Sequence, residues 1–167
     1  MAGEIKPIKP NILQKILHQV VSALPVTAFF SSRMHRMDFF VLKITGGKYT
    51  ISELAGWTII QLTTIGAKTD QPRTMPLIGI IDKERIAVVA SSFGRKHNPG
   101  WYYNLKAHPE CEVLFKGKLG KYIARETEGD EREKYFQMAV SQYTGYEKYK
   151  ERAAHRHIPV MVLEPIR

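Results

Sequence analysis

The sequence predicts a mainly β protein, a small barrel with flanking helices. Three observations lead there. From Trp57 onward, short runs rich in β-branched and aromatic residues recur, broken by turn residues. The connections between these runs are mostly short, which favours antiparallel neighbours and argues against a doubly wound sheet. At 167 residues, the chain fits one domain with one core. The expected layout is a single domain over 1–167, with an N-terminal arm and helical region over 1–56 and the barrel core over 57–167.

The elements follow in order. The first ten residues carry Pro7 and Pro10 and read as an extended arm. Asn11 is a plausible N-cap, followed by apolar residues at Ile12, Leu13, Ile16, Leu17, Val20, Val21 and Leu24. That spacing is a helical stripe, ended by Pro25. The helix either packs on the barrel or touches a membrane surface, helped by Lys6, Lys9 and Lys15. The segment from Phe29 to Leu42 is apolar with Arg33 and Arg36 between, and suits either a pocket wall or the core.

Trp57–Thr64 reads as the first strand. Gly66 and the run Thr69-Asp70-Gln71-Pro72 mark a turn, and Thr74–Ile81 is the second strand. Arg85–Ser91 follows as a buried strand. Phe93–Pro99 is a loop leading into a short helix over Trp101–Ala107, with Asn98 as its N-cap and Pro99 at its first position. Cys111–Lys116 and Lys121–Glu126 form a hairpin joined by Gly117-Lys118-Leu119-Gly120. A helix begins at Thr127, with Asp130 completing a capping-box-like start, and runs to near Val140. A tyrosine-rich segment follows, then a last strand over Ile158–Glu164 with Pro159 at its edge.

Hydrophobic residues make up 44% and charged residues 25%, ordinary for a globular protein. The net charge of +9, with a sequence pI of about 9.7, favours an anionic partner. Helix-turn-helix, zinc-finger and ribonucleoprotein patterns are missing, so nucleic acid is not the expected partner. The lone Cys111 allows no internal disulfide and reads as a small apolar strand residue in a reducing, cytoplasmic setting. No metal is expected: the histidines are scattered, and His155 and His157 alone make a poor ligand set. The N-terminus reads as neither a signal peptide nor a membrane span, because Gln14, Lys15, His18 and Gln19 interrupt it.

Three segments carry candidate chemistry. Lys68 and Arg73 flank the turn Gly66–Arg73, where a turn brings its flanks together. They address one anion there or form a solvated basic tip. The run from Ala90 to Trp101 takes a strand through Ser91, Ser92 and Gly94 into a helix start. Its amides and hydroxyls suit a phosphate or ring carbonyl, with Arg95 and Lys96 adding charge. A polar loop capping the helix is the compatible plain alternative. Tyr143, Tyr146 and Tyr149 recur every three residues, on one face of a short helix. They form an aromatic wall over a planar ring, or pack the helix on the barrel.

Together these runs carry a resemblance. Leu62-Thr63-Thr64-Ile65-Gly66-Ala67-Lys68-Thr69-Asp70-Gln71-Pro72-Arg73-Thr74-Met75-Pro76-Leu77 resembles the opening motif of the deazaflavin-dependent nitroreductases, the reductases that use coenzyme F420. Asn98-Pro99-Gly100-Trp101-Tyr102-Tyr103-Asn104-Leu105-Lys106-Ala107-His108-Pro109 is similar to their second signature, the tyrosine triplet to their C-terminal wall, and Ile158–Pro165 to their last strand. The resemblance covers roughly Leu62 to Pro165 and implies a split β-barrel, like those that bind FMN. It also implies hydride transfer from reduced F420 to an electron-poor acceptor such as a quinone or nitro compound.

By that resemblance Lys68 and Arg73 hold the cofactor phosphate. Pro76, Val89 and Ser91 line the deazaflavin ring, Ser91 donating to a ring carbonyl, and Trp101 packs nearby. Tyr143, Tyr146 and Tyr149 border the substrate, with Tyr146 as the proton donor. Where the family pattern places a lysine for the phosphate, this chain has Ser92, with Arg95 and Lys96 as the neighbouring cations. FMN as cofactor, and a non-catalytic F420 carrier, stand as alternatives. The protein is expected to be a monomer or a homodimer.

Overall fold

A computed structural model of the chain describes residues 56–166, together with Ile12, Phe40, Val41 and residues 43–46. The expected N-terminal helix and the apolar 29–42 segment otherwise lie outside the described residues. Among the described residues, seven strands form one sheet: β1 (Ile59–Ile65), β2 (Pro72–Ile78), β3 (Ile80–Asp82), β4 (Arg85–Val89), β5 (Glu110–Phe115), β6 (Lys118–Glu126) and β7 (Val160–Pro165). Among residues 56–166, three α-helices accompany it: α1 (Gly100–Ala107), α2 (Gly129–Gln142) and α3 (Gly145–Arg152). The strand order is β2-β1-β5-β6-β7-β4-β3, and the pairings are antiparallel. This is the mainly β split-barrel class that the sequence predicts.

The two edge strands are consecutive in the chain, so the sheet has to curl. Gly79 lies between them, its N–H donating to the Thr58 carbonyl at 2.9 Å. A Cβ there would lie 2.8 Å from Ile60 Cγ2 and 3.4 Å from Ile86 Cγ2, so only glycine lets β1 and β4 close on that point. The single strand expected over Thr74–Ile81 is therefore two strands.

Alternation along the strands sorts side chains into two cores. Ile60, Leu62, Ile86, Val88, Met161 and Leu163 fill the barrel interior. Ile59, Ala87, Val89, Val160 and Val162 point the other way, against Tyr135, Phe136 and Ala139 of α2 and the tyrosines beyond it. β4 and β7 are thus covered on both faces, which explains their unbroken apolar runs. Each such fully buried side chain contributes roughly 1.5–3 kcal/mol. Trp101 and Leu105, one helical turn apart on α1, plug the barrel interior. Cys111 is buried among them as expected, and desolvation pushes its thiol up to about 12.

Three local expectations need correction. The β5–β6 hairpin turns on Lys116 and Gly117 alone, at φ 49° and 75°, and β6 starts at Lys118 rather than Lys121. Two successive positive φ values match the right-handed twist of the strands. Thr127 does not cap α2: its N–H and its hydroxyl both donate to the Val160 carbonyl, at 2.9 and 3.0 Å. The helix begins at Gly129, where Asp130 and Glu131 face the positive end of the helix dipole. Asn98 does not cap α1 either. Pro99 takes the cap position without a side-chain bond, and the Asn98 amide oxygen accepts from Arg156 instead.

Candidate active site

A pocket of about 840 Å³ opens where β2, the end of β4, the loop after it and the tyrosine layer meet. Each wall has a separate origin. Met75, Pro76, Leu77 and Ile78 come from the edge strand β2 and Val88 and Val89 from the two-faced β4, while Trp101 lies at the barrel plug. These make an apolar slot. Ser91, Ser92, Arg95 and Lys96 make its polar rim, with Arg95 and Lys96 exposed. Tyr143, Tyr146 and Tyr149 close the far side, all buried.

The loop after β4 is backbone of an uncommon kind. Ser92, Phe93 and Gly94 have φ of 48°, 57° and 77°, three left-handed residues in a row. For the two that carry a Cβ this costs about 1–2 kcal/mol each. The surroundings offset it. Gly94 N–H donates to the Ser91 carbonyl at 2.9 Å and Arg95 N–H to the Ser92 carbonyl at 3.0 Å. The Phe93 ring meets Tyr149 edge-on, with centroids 5.7 Å apart. Gly94 is required: a Cβ there would run into Arg152.

The tyrosines do not share one helix, as their spacing suggests. Tyr143 ends α2, and α3 carries Tyr146 and Tyr149. Gly145 lets the Tyr143 ring fold back over the chain, where a Cβ would collide with it. The three rings still meet edge-to-face, with centroids 5.6–6.1 Å apart. Tyr143 and Tyr149 share a hydrogen bond of 2.9 Å between hydroxyls. Tyr146 stands outside that pair. Burial, then the neighbouring Tyr149, pushes its hydroxyl pKa up, so it stays protonated and able to donate.

The structure thus brings Pro76, Val89, Ser91, Ser92, Arg95, Lys96, Trp101, Tyr143, Tyr146 and Tyr149 to one pocket. Lys68 and Arg73 are not in its lining. Lys68 sits on the exposed turn between β1 and β2, and Arg73 is the exposed second residue of β2, its Nη2 3.5 Å from Thr69 Oγ1 of the turn. Arg73 shares a strand face with Met75 of the pocket, about 7 Å further along β2. Asn104 of α1 holds this turn: its amide oxygen accepts from Ala67 N–H at 3.0 Å, and its amide nitrogen donates to Thr64 Oγ1 at 3.0 Å.

Two groups escaped the sequence reading. Asn104 lies within the second signature, but its reach to residues 64 and 67 shows only in the fold. Arg156 lies in a short connection with no pattern of its own, yet it bonds much of the loop over the pocket.

Comparison with known proteins decides the family. The sequence model of the F420H(2)-dependent quinone reductases matches residues 33–165. The chain belongs to the F420H(2)-dependent quinone reductase family. An F420H(2)-dependent quinone reductase of Mycobacterium tuberculosis is 35% identical over 108 residues, covering 61% of this chain and 70% of the relative. The solved structure of an F420-H2 dependent reductase is 38% identical, with a TM-score of 0.60, covering 64% of this chain and 94% of that one. A heme storage protein from Vibrio cholerae, 14% identical with a TM-score of 0.50 and covering 66% of this chain and 82% of its own, shares the fold. Membership makes the chain an oxidoreductase whose cofactor is F420.

The residues present fit that cofactor. The slot has the volume of a pocket for a drug-sized ligand. Its Pro76, Val89 and Trp101 walls suit a planar apolar ring, and Ser91 offers a buried hydroxyl. The cations Arg95 and Lys96 lie on its rim and Arg73 beyond it, suiting an anionic tail.

Proposed function

We propose that this chain reduces a quinone-like, electron-poor acceptor at the pocket between β4 and the tyrosine layer. The observation that carries this reading is the convergence of three unlike surfaces on one cavity: an apolar strand wall, a serine- and cation-bearing loop and a wall of three tyrosines. Reduced F420, when bound, supplies the hydride. The chain's own residues do the rest. Pro76, Val89 and Trp101 orient the ring and keep water from one side. Ser91 donates to a ring carbonyl, and the loop cations with Lys68 and Arg73 hold the phosphate-bearing tail. Tyr143 and Tyr149 shape the acceptor side, and the Tyr146 hydroxyl donates toward the charge that develops on the acceptor oxygen.

The test is direct. Purified protein is titrated with F420 by fluorescence, with FMN as the competing ligand, and then given reduced F420 and menadione. Binding of F420 in preference to FMN, followed by quinone-dependent oxidation of reduced F420, is expected. No F420 binding at roughly tens of micromolar, weaker than about −6 kcal/mol, would sink the reading.

A further inference from the structure

The guanidinium of Arg156 is the hub of the loop that follows β4. Its Nη2 donates to the Ser91 carbonyl at 2.7 Å and its Nε to the Arg95 carbonyl at 2.9 Å. Its Nη1 donates to the Asn98 side-chain oxygen and, at 3.1 Å, to the His157 carbonyl. Both Nη atoms lie 3.4 Å from the Ala90 carbonyl. One planar fork therefore ties together both ends of the loop and the connection before β7, which a lysine's single ammonium cannot copy. Arg156 itself does not line the pocket, whereas Ser91, Ser92, Arg95, Lys96 and Asn98 do.

Peptide geometry turns this anchoring into a consequence for the pocket. The described chain has no cis peptide bonds, and in a trans peptide the C=O and the next N–H point in opposite directions. With the Ser91 and Arg95 carbonyls drawn onto Arg156, the N–H groups of Ser92 and Lys96 are directed to the opposite side. Ser92 and Lys96 both border the cavity. Ser92 also begins the left-handed run, a conformation that persists only where its surroundings hold it.

We propose that Arg156 is a positioning residue for the cofactor: by holding these carbonyls it presents the Ser92 and Lys96 amides to the anionic or carbonyl groups of F420. Backbone donors so placed stand in for a cationic side chain at Ser92. The inference rests on the proposed F420-binding role of this pocket.

The experiment compares wild type, Arg156→Ala and Arg156→Lys. The readouts are F420 affinity by fluorescence, thermal midpoint, and the separate KM values for cofactor and quinone. Arg156→Ala is expected to raise the F420 Kd about tenfold or more, with the KM for quinone at saturating cofactor within about twofold of wild type. Added guanidinium at low concentration should restore part of the lost affinity, which a purely structural role would not predict. Arg156→Lys keeps the charge and most of the volume, so it carries the test if the alanine variant does not fold. It should bind F420 several-fold more weakly with a near-native thermal midpoint. An unchanged F420 Kd in a folded variant overturns the inference alone. Wild-type protein that binds no F420 overturns the proposed function as well.

Discussion

The hydroxyls of Tyr143 and Tyr149 lie 2.9 Å apart, bonded to each other inside the helical layer, while Tyr146 between them in sequence stands outside the pair. The triplet, all of it in the pocket lining, therefore splits into a bonded pair and a single tyrosine outside that bond. Tyr149→Phe removes a buried bond and should cost about 1–2 kcal/mol of stability by denaturant titration. Tyr146→Phe should leave stability nearly unchanged and lower kcat about tenfold or more. Full activity in Tyr146→Phe would remove it as the proton donor.

The turn between β1 and β2 lies outside the pocket lining, so its role depends on a ligand long enough to reach it. Lys68→Ala combined with Arg73→Ala should weaken F420 binding roughly tenfold to a hundredfold, less than two buried contacts would, because both side chains are exposed. The loss should shrink as salt rises. Equal affinity of double variant and wild type at low salt would place the phosphate elsewhere.

Asp82 joins the sheet edge to α2. Its Oδ2 accepts from Lys134 Nζ at 2.7 Å and from the Tyr135 hydroxyl at 3.1 Å. The Lys134 hydrogen bond, foremost among its neighbours' effects, holds the carboxyl below its usual value of 3.8. A depressed acid stabilises the fold above the unfolded pKa and loses that contribution as pH falls through the folded one. Asp82→Asn should cost about 1 kcal/mol at pH 7 and flatten the stability profile below about pH 4. An unchanged acid limb would rule Asp82 out as a contributor.

Cys111 titrates in the opposite sense. Desolvation raises its thiol from 9.0 to about 12, so its contribution is fully present below pH 9 and is lost as pH climbs toward 12. Native protein at pH 8 should resist thiol-specific alkylation, with labelling appearing only on unfolding. Rapid stoichiometric labelling of folded protein would contradict its burial.

Much of the barrel is legible in the sequence because strand burial leaves a local record. The unbroken apolar run of β4 reads as a buried strand and the closing run before Pro165 as a last strand, and both faces of each are covered. The basic turn, the serine–glycine loop and the tyrosine triplet likewise announce themselves by residue type, and the structure brings the last two to one cavity. Local patterns mislead where a side chain has a distant competitor. Asn98 looks like a helix cap but bonds Arg156, and Thr127 looks like a cap but bonds Val160. The split at Gly79 is equally non-local, forced by Ile60 and Ile86 closing on the same point.

The sequence by itself determined the strand-rich class, the buried strand over Arg85–Ser91 and the residue types around the pocket, because hydrophobic period and turn chemistry act over a few residues. Tertiary structure alone decided which polar groups hold the loop in place. Arg156 reaches carbonyls 61 and 66 residues earlier in the chain, and Asn104 reaches back 37 and 40 residues. Hydrogen bonds of that span depend on the closure of the barrel, which sets the distance between segments that no local pattern relates.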